Sequence, residues 1–237
     1  MAYRRWHVGL HIQPECVLSV ALQRTRAGWA LRRWWRLPLD GAPGDAARLR
    51  QWRRELPLQH RIALAFPAAK TLQKTLPRPQ LTLLESDEKR WIAGTLAQHL
   101  DMPQADLVFD YAASDTAEFT VTAARKRDIA QLQERLNEAG ILADVITPDA
   151  CALQNFLPWL TDTQPGVTWH NGELWLWATR SGWGCSQEAG PGLLQCAAEP
   201  DERCYFNPWK TISQLYPPLP EAADDFAIAI ALAMSGR

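Results

Sequence analysis

Residues 7–24, HVGLHIQPECVLSVALQR, predict two strands joined by a tight turn at Gln13 and Pro14. In several nucleotide-binding folds, a turn of this kind holds the phosphate oxygens, because its backbone N–H groups point at the ligand. A second hairpin is predicted over residues 167–180, where Asn171-Gly172 separates two apolar alternations and favours a type I′ turn. The first chemical question is whether such turns can still hold a phosphate.

Other catalytic motifs are absent from the sequence. It contains no G-x-x-x-x-G-K-[ST] loop, no G-x-G-x-x-G after a strand, no G-x-S-x-G and no H-E-x-x-H. A zinc site can be drawn from His170, Cys185, Cys196 and Cys204, but their spacings match no common structural-zinc pattern. These cysteines are expected to be core or surface thiols, and no metal is predicted.

Tryptophan is unusually frequent, with twelve in the chain. The stretch RRWWR, residues 32–36, interleaves cations and aromatic rings as single-strand nucleic-acid grooves do. A strand with Trp34 facing inward and Trp35 facing outward gives the same pattern without a ligand, and aromatic residues favour strands in any case. Direct nucleic-acid binding through RRWWR and LRQWRREL (49–56) stays an alternative function, whose signature is affinity that falls steeply with salt.

The composition is that of an ordinary globular chain of 237 residues with a net charge of −1. Its charge is uneven, since residues 1–60 hold eleven arginines, no lysine and four acids. Five cysteines without a C-x-x-C motif indicate reduced thiols in the cytoplasm. We find no apolar signal region at the start, and the longest apolar run, 226–234, is far below the ~20 residues of a spanning helix. Work at a membrane would therefore require a partner.

The apolar periodicity predicts an α/β chain. Three strands form an antiparallel meander up to residue 39, a helix covers 45–56, and a buried strand covers 61–68. Further strands are predicted at 71–81, 106–111, 118–124 and 142–146, and further helices at 84–102, 124–141 and 147–160. After the linker TDTQPG (161–166), a shorter set of strands precedes an apolar terminal helix within 217–234.

Four stretches, taken in order, carry a family resemblance. They are VGLHIQPECVLSVAL (8–22), TLPRPQLTLLESDEKRWIAGTLAQHLDMPQADLVFDY (75–111), FTVTAARKRDIAQLQERLNEAGILADVITPDACAL (119–153), and FNPWKTIS (206–213) with DFAIAIALAMSG (225–236). Together they resemble the PilM family of type IV pilus assembly proteins, which are relatives of actin and of the cell-division protein FtsA. The resemblance implies an actin-like ATPase (ribonuclease H-like) α/β fold. Its first lobe would span 1–160 with an inserted small α/β subdomain at about 77–145, and a truncated second lobe would span 161–237.

The first turn departs from the family's pattern, which reads roughly G-I-D-I-G-S-S from the position of Gly9 onward. His11 stands in place of the aspartate and is not a hard oxygen ligand for Mg²⁺. Beyond Gln13, Pro14 has no N–H to donate. Glu15 would repel a phosphate by ~4 kcal/mol at about 4 Å and an effective dielectric of 20. Each change weakens phosphate binding.

The second turn departs in the same way, because His170-Asn171-Gly172 keeps the turn and lacks the family's acid. The chain also has too few residues between AGPGLLQC and FNPW for the family's second inserted subdomain and its Gly-Gly adenosine motif. We therefore expect no catalytic residue and no cofactor. The degenerate phosphate positions are Gly9, His11, Gln13, Asn171 and Gly172. A working actin-like ATPase that binds ATP with Mg²⁺ is the first alternative.

The resemblance further implies a non-catalytic cytoplasmic scaffold of a type IV pilus assembly or DNA-uptake machine, peripheral to the inner membrane through a partner. That partner would be a bitopic inner-membrane protein like PilN or HofN, whose N-terminal cytoplasmic tail enters a groove between the first-lobe subdomains. Phe66, Leu76 and Pro77 are the predicted groove residues.

Further contacts are predicted beyond that tail. The candidate contacts with an anionic surface are Arg32, Arg33, Arg36, Arg53 and Arg54. Other pilus or secretin-machine components are expected partners, and no stable nucleic acid is expected. Weak self-association stays open.

Overall fold

The computed structural model describes residues 5–41, 44–80, 83–113, 118–198, 205–216 and 218–235. The chain forms two compact units, one inserted in the sequence of the other. We call Ala69–Glu134 the inserted unit, and the two segments Met1–Ala68 and Arg135–Arg237 together the main unit.

The secondary structure alternates strands and helices as predicted for an α/β chain. The strands of the main unit are β1 (Trp6–Ile12), β2 (Cys16–Thr25), β3 (Gly28–Pro38), β4 (His60–Phe66), β8 (Val145–Pro148), β9 (Gly166–His170), β10 (Trp175–Thr179), β11 (Gly182–Ser186), β12 (Leu194–Cys196), β13 (Tyr205–Phe206) and β14 (Gln214–Leu215). Those of the inserted unit are β5 (Thr71–Pro77), β6 (Leu107–Ala113) and β7 (Glu118–Arg125). The α-helices are α1 (Gly44–Glu55), α2 (Glu85–Leu100), α3 (Lys126–Glu138), α4 (Asp149–Ala152) and α5 (Ala227–Ala233).

Two sheets build the main unit. The first has the order β14-β3-β2-β1-β4-β8, and the second has the order β11-β10-β9-β12-β13. The predicted meander is present, because β1, β2 and β3 pair antiparallel in sequence order, and Gly28 supplies the positive φ of 118° after the second turn. β4 and β8 extend this sheet in parallel on the other side of β1.

The last helix, α5, is apolar on every side, and all seven of its residues are buried. A helix with this pattern belongs in a core, and α5 packs against β1, β2 and β4 of the first sheet. Asn155 donates its Nδ2–H to the carbonyl oxygen of Ala231 at 3.1 Å, which ties the helix to the segment before the second sheet. β14 also joins the first sheet. Residues after 161, predicted as a second lobe, therefore contribute to both sheets.

The predicted helix over 147–160 is mostly absent. Pro148 ends β8 instead of starting a helix, α4 has four residues, and a 3₁₀ helix follows at Leu153–Trp159. Pro158 lies inside that last segment, and proline lacks the N–H group that would continue an α-helix. Here the local apolar pattern indicated more helix than the chain forms.

Asp149 joins the segment that follows β4 to the start of α4. Its Oδ1 accepts hydrogen bonds from the N–H groups of Ala68 (2.8 Å) and Ala150 (2.7 Å), and its side chain is buried. Burial raises the pKa of this carboxyl from 3.8 to about 6, although the hydrogen bonds from Ala68 and Ala150 favour the charged form. Asp149 therefore fixes the backbone at the last residue before the insertion.

The inserted unit has its own small core. Its sheet has the order β5-β7-β6, and the core consists of Leu76, Ile92, Leu96, Phe119, Val121 and Ala123. β5 pairs with β7 along its whole length, so the unit includes β5 and begins at Ala69, earlier than the predicted start at about residue 77. Among the residues that the structure describes, no helix of either unit is long and apolar enough to cross a membrane.

Candidate functional site

The two predicted hairpin turns lie together in the main unit and line one cavity of about 430 Å³. The cavity is lined by Gln13, Pro14, Glu15, Cys16, Arg36, Pro38, Asn171 and Gly172. The β1–β2 turn and the β9–β10 turn come from different sheets, so tertiary structure alone makes them neighbours. Three of the five predicted phosphate positions, Gln13, Asn171 and Gly172, are thus brought to one place.

The first turn is closed on itself. The N–H of Gln13 donates to the carbonyl oxygen of Cys16 at 2.8 Å, and the thiol of Cys16 donates to Oε1 of Gln13 at 3.3 Å. Pro14 has no N–H, and Glu15 brings a carboxylate to the cavity wall. A phosphate at this turn would meet a negative charge and few donors.

The second turn uses its donors internally as well. Asn171 N–H donates to the carbonyl oxygen of Leu174 at 3.0 Å, and Oδ1 of Asn171 accepts from the N–H groups of Glu173 and Leu174 at 3.0 and 2.8 Å. Gly172 N–H points to Nδ1 of His170 at 3.3 Å, and Gly172 takes the positive φ of 99° that a glycine allows. An asparagine that closes its own turn in this way explains the sequence without a ligand.

Arg36 is the cation on the cavity wall, and it has a partner. Its guanidinium lies 2.5 Å from Oδ2 of Asp225, and this hydrogen bond raises the pKa of Arg36 above its ordinary value. The two residues are 189 positions apart, so no local pattern pointed to the pair. With Arg36 neutralised, Glu15 leaves the wall of the cavity acidic.

His11 is buried below this turn and does not line the cavity. Its ring packs edge-on against Trp169 with centroids 5.6 Å apart, and its Nδ1 has no hydrogen-bond partner. Burial lowers the pKa of His11 from 6.5 to about 4. The neutral imidazole therefore acts as a packing group between the two sheets.

His11 should make the main unit sensitive to acid. Because its folded pKa is lowered, the unfolded chain takes up the proton first, so stability is complete above pH 6.5 and is lost as the pH falls toward 4. We expect about 2 kcal/mol of unfolding free energy to be lost between pH 8 and pH 5 through this residue. In His11→Leu, urea denaturation at pH 8 and at pH 5 should no longer show this loss of unfolding free energy.

The matched control for this measurement is His99→Gln, whose side chain is exposed on α2. Its pH profile should follow that of the unsubstituted protein. A His11→Leu protein that loses stability in acid as steeply as the control would contradict the role assigned to His11.

Gly9 serves the packing of α5 in the structure. A Cβ atom at this position would lie 1.9 Å from the carbonyl oxygen of Ala229 and 2.8 Å from the backbone nitrogen of Ala233. Glycine is therefore required where the backbone of β1 meets the helix, a reason that the sequence pattern alone did not reveal.

The predicted groove residues belong to different units. Phe66 ends β4 in the main unit and is 3% exposed, while Leu76 is 1% exposed in the core of the inserted unit. Pro77, at the end of β5, is exposed. Phe66 and Leu76 thus offer almost no surface, and the groove itself stays a prediction.

The predicted surface arginines fall into two groups. Arg32 donates to Oε1 of Gln23 at 2.8 Å, Arg33 pairs with Glu55 at 2.8 Å, and Arg36 pairs with Asp225. The other two, Arg53 and Arg54, lie in the last turn of α1, where positive charge favours the helix dipole. Their contact with an anionic surface stays a prediction.

The tryptophans of RRWWR are held by the protein itself. Trp34 donates its Nε1–H to the carbonyl oxygen of Pro218 and packs edge-on against Phe226. Trp35 is 6% exposed, donates to Glu55 at 2.8 Å and packs edge-on against Trp52. Both rings have partners within the protein, so the strand explains this stretch without a nucleic acid. Trp35, predicted to face outward, is buried instead.

The zinc site drawn from His170, Cys185, Cys196 and Cys204 is not supported by the described residues. Cys204 lies outside the described residues, and burial raises the pKa of the thiols of Cys185 and Cys196. No group of three or more His, Cys, Asp or Glu side chains that could hold a metal occurs in the described part of the chain.

Comparison with known proteins identifies a relative in sequence and two in structure. No protein-family model matches the sequence. The DNA utilization protein HofM of Escherichia coli K12 is 40% identical over 255 aligned residues, which cover 99% of this chain and 98% of that protein.

Two solved structures share the fold across almost the whole chain. The PilM–PilN type IV pilus biogenesis complex superposes with a TM-score of 0.69 at 14% identity, covering 97% of this chain and 98% of its own. The cytoplasmic domain of EpsL, an inner-membrane component of the type II secretion system of Vibrio cholerae, gives a TM-score of 0.63 at 9% identity, covering 97% and 95%. The fold is therefore actin-like, and the chain belongs to the family of the DNA utilization protein HofM.

Proposed function

We propose that this chain is a non-catalytic cytoplasmic scaffold of a type IV pilus assembly or DNA-uptake machine. In this role it holds the N-terminal cytoplasmic tail of a PilN-like inner-membrane protein. The full-length relationship to HofM and the shared fold with the PilM–PilN complex support the machine and the partner.

The observation that carries the non-catalytic part is the internal use of donors at both turns. The N–H groups of Gln13, Asn171 and Gly172 each donate within their own turn. A polyphosphate would have to break these bonds, and it would also lie against Glu15. The cavity therefore does not fit ATP with Mg²⁺, and we assign no cofactor to it.

The described surface of the inserted unit offers a receptor for an apolar tail. A pocket of about 430 Å³ is lined by Ala69, Lys70, Thr71, Leu72, Leu100, Met102, Leu107, Ala123, Ala124, Arg125 and Asp128. Its apolar side chains suit an extended tail with large hydrophobic residues. Lys70 and Arg125 outnumber Asp128 among the charges, so an acidic residue in the tail would be favoured.

The test is calorimetry of the full chain with a synthetic N-terminal peptide of a PilN-like protein. We expect binding that Met102→Lys weakens about tenfold or more, because a cation would enter the apolar pocket. The matched control is Leu84→Lys, whose side chain is 75% exposed outside the pocket. Absence of binding by the unsubstituted chain would contradict the proposed function.

The nucleotide alternative is tested in the same preparation. A ligand that binds only the folded state raises the melting temperature by mass action. Because we expect no binding of ATP with Mg²⁺, millimolar concentrations should leave the melting temperature unchanged. A clear rise would restore the ATPase alternative, whatever the result with the peptide.

A further inference from the structure

One end of the first sheet of the main unit collects arginines from several strands. Trp6 at the start of β1 lies opposite Gln23 on β2 and beside His60 on β4. Because neighbouring strands are ~4.8 Å apart, the adjacent residues Arg5, Arg24 and Arg61 come to the same end of the sheet. The β2–β3 turn adds Arg26 there, so four arginines occupy the end remote from the cavity.

These four arginines have no ion-pair partner among the described residues. Arg24 lies over the ring of Trp29 at 5.5 Å, a contact that leaves its charge in place. Burial, and then the guanidinium groups of Arg61, Arg5 and Arg24, lower the pKa of the neighbouring His7. The nearby carboxylate of Asp144 accepts the backbone N–H of Ile62 at 2.7 Å. Four guanidinium groups outweigh this one carboxylate, so the end carries a net positive charge among these groups.

Two exposed leucines flank this charge. Leu58 is wholly exposed before β4, and Leu142 is 77% exposed before β8. β4 and β8 are parallel neighbours, and Asp144 N–H donates to the carbonyl oxygen of Ile62 at 2.9 Å, so both loops lie at the arginine end.

The loop that carries Leu58 is fixed by hydrogen bonds. The N–H of Trp6 donates to the carbonyl oxygen of Gln59 at 3.0 Å. Nδ1 of His60 lies 2.6 Å from the carbonyl oxygen of Pro57. Leu58 is thus presented to solvent by a supported loop. An apolar side chain held in water in this way gains free energy if a partner buries it.

We propose that Arg5, Arg24, Arg26 and Arg61, with Leu58 and Leu142, form a docking surface for an anionic phospholipid leaflet. We call this set the arginine–leucine end. It acts independently of the partner tail and adds a second attachment to the membrane. Arginines are attracted to anionic headgroups, and the leucines insert at the boundary with the acyl chains.

The side chains favour a lipid surface over a nucleic acid. Single-stranded nucleic acid is held by exposed aromatic rings and a groove, whereas Trp29 is 7% exposed and covered by Arg24. Leucine offers no stacking surface, and its burial is favoured in the membrane interface. Two leucines beside four unpaired cations combine the two signals that stable membrane attachment requires.

The experiment is flotation of the full chain with phosphatidylcholine vesicles that contain or lack roughly one quarter phosphatidylglycerol. We expect binding only to the anionic vesicles, weakened by salt. Arg24→Glu with Arg26→Glu should lower the partition coefficient at least about 25-fold, from about five-fold per arginine. Leu58→Ser with Leu142→Ser should lower it about ten-fold or more.

The matched control is Lys126→Glu with Arg127→Glu at the start of α3, which makes the same change in net charge elsewhere. It should bind anionic vesicles like the unsubstituted chain. The proposal is overturned if the unsubstituted chain does not bind anionic vesicles, or if the control loses as much binding as the arginine variant. It is also overturned if the arginine variant loses binding to a single-stranded oligonucleotide while vesicle binding is unaffected.

Discussion

Substitution of Gly9 by alanine should destabilise the main unit by about 3 kcal/mol or more, enough to abolish folding at moderate temperature. The added Cβ would lie 1.9 Å from the carbonyl oxygen of Ala229 and 2.8 Å from two further backbone atoms of α5. A flexible side chain could move away, but a helix buried on every side has nowhere to go. The measurement is the free energy of unfolding in urea, with soluble yield as a second readout.

The control for Gly9→Ala is Gly182→Ala at the start of β11, where a Cβ meets no atom within 4 Å. That variant should be neutral or slightly more stable, because alanine restricts the unfolded chain. If Gly9→Ala unfolds at the same urea concentration as the control, then α5 does not pack on β1 as closely as described.

Asp149→Ala should lower the free energy of unfolding by about 3 kcal/mol, since the buried N–H groups of Ala68 and Ala150 would lose their acceptor. Asp162→Ala is the matched control, because the Asp162 side chain is fully exposed and faces Arg180 at 3.8 Å. It should change stability by less than about 0.5 kcal/mol. Equal losses in the two variants would show that Asp149 does not hold the junction.

The pH dependence separates the charge of Asp149 from its hydrogen bonds. Because the folded pKa is raised from 3.8 to about 6, the stability contribution is complete below pH 3.8 and is lost as the pH rises through 6. Asp149→Asn keeps an acceptor oxygen and cannot ionise. Relative to the unsubstituted chain, it should therefore gain about 1.4 kcal/mol between pH 5 and pH 7.5. Denaturation at the two pH values checks this, and a difference that stays constant argues against the raised pKa.

The sequence predicted what depends on neighbours along the chain. The first hairpin follows from the apolar runs around Gln13-Pro14, and the second follows from Asn171-Gly172, where the turn residues themselves determine the geometry. Both turns lie at the predicted residues, but the second is not the predicted type I′ turn. His170 pairs with Trp175, so the loop has four residues, and only Gly172 takes a positive φ. The side chain of Asn171 accepts the loop's N–H groups instead.

The contacts that decide the chemistry of the site are long-range and could not be read in this way. Arg33 and Arg36 were predicted to contact an anionic surface, but in the fold they form ion pairs with Glu55 and Asp225. Gly9 suggested a phosphate loop because a glycine there has two explanations, and its real neighbour, Ala229, lies in the last helix. Local patterns therefore overestimated the available charge and missed the packing constraint.

Because α5 lies near the end of the sequence, the two units differ in the sequence separation of their core contacts. The main unit closes its core by joining Gly9 to Ala229, 220 residues away, whereas the inserted unit joins Leu76 to Phe119 across 43. Loop-closure entropy grows only with the logarithm of length, so the longer closure costs about 1.4 kcal/mol more. The position of α5 at the end of the chain thus has little effect on the equilibrium stability of the main unit. Its larger effect is to slow folding, because the first sheet can pack against α5 only through contacts that are distant in sequence.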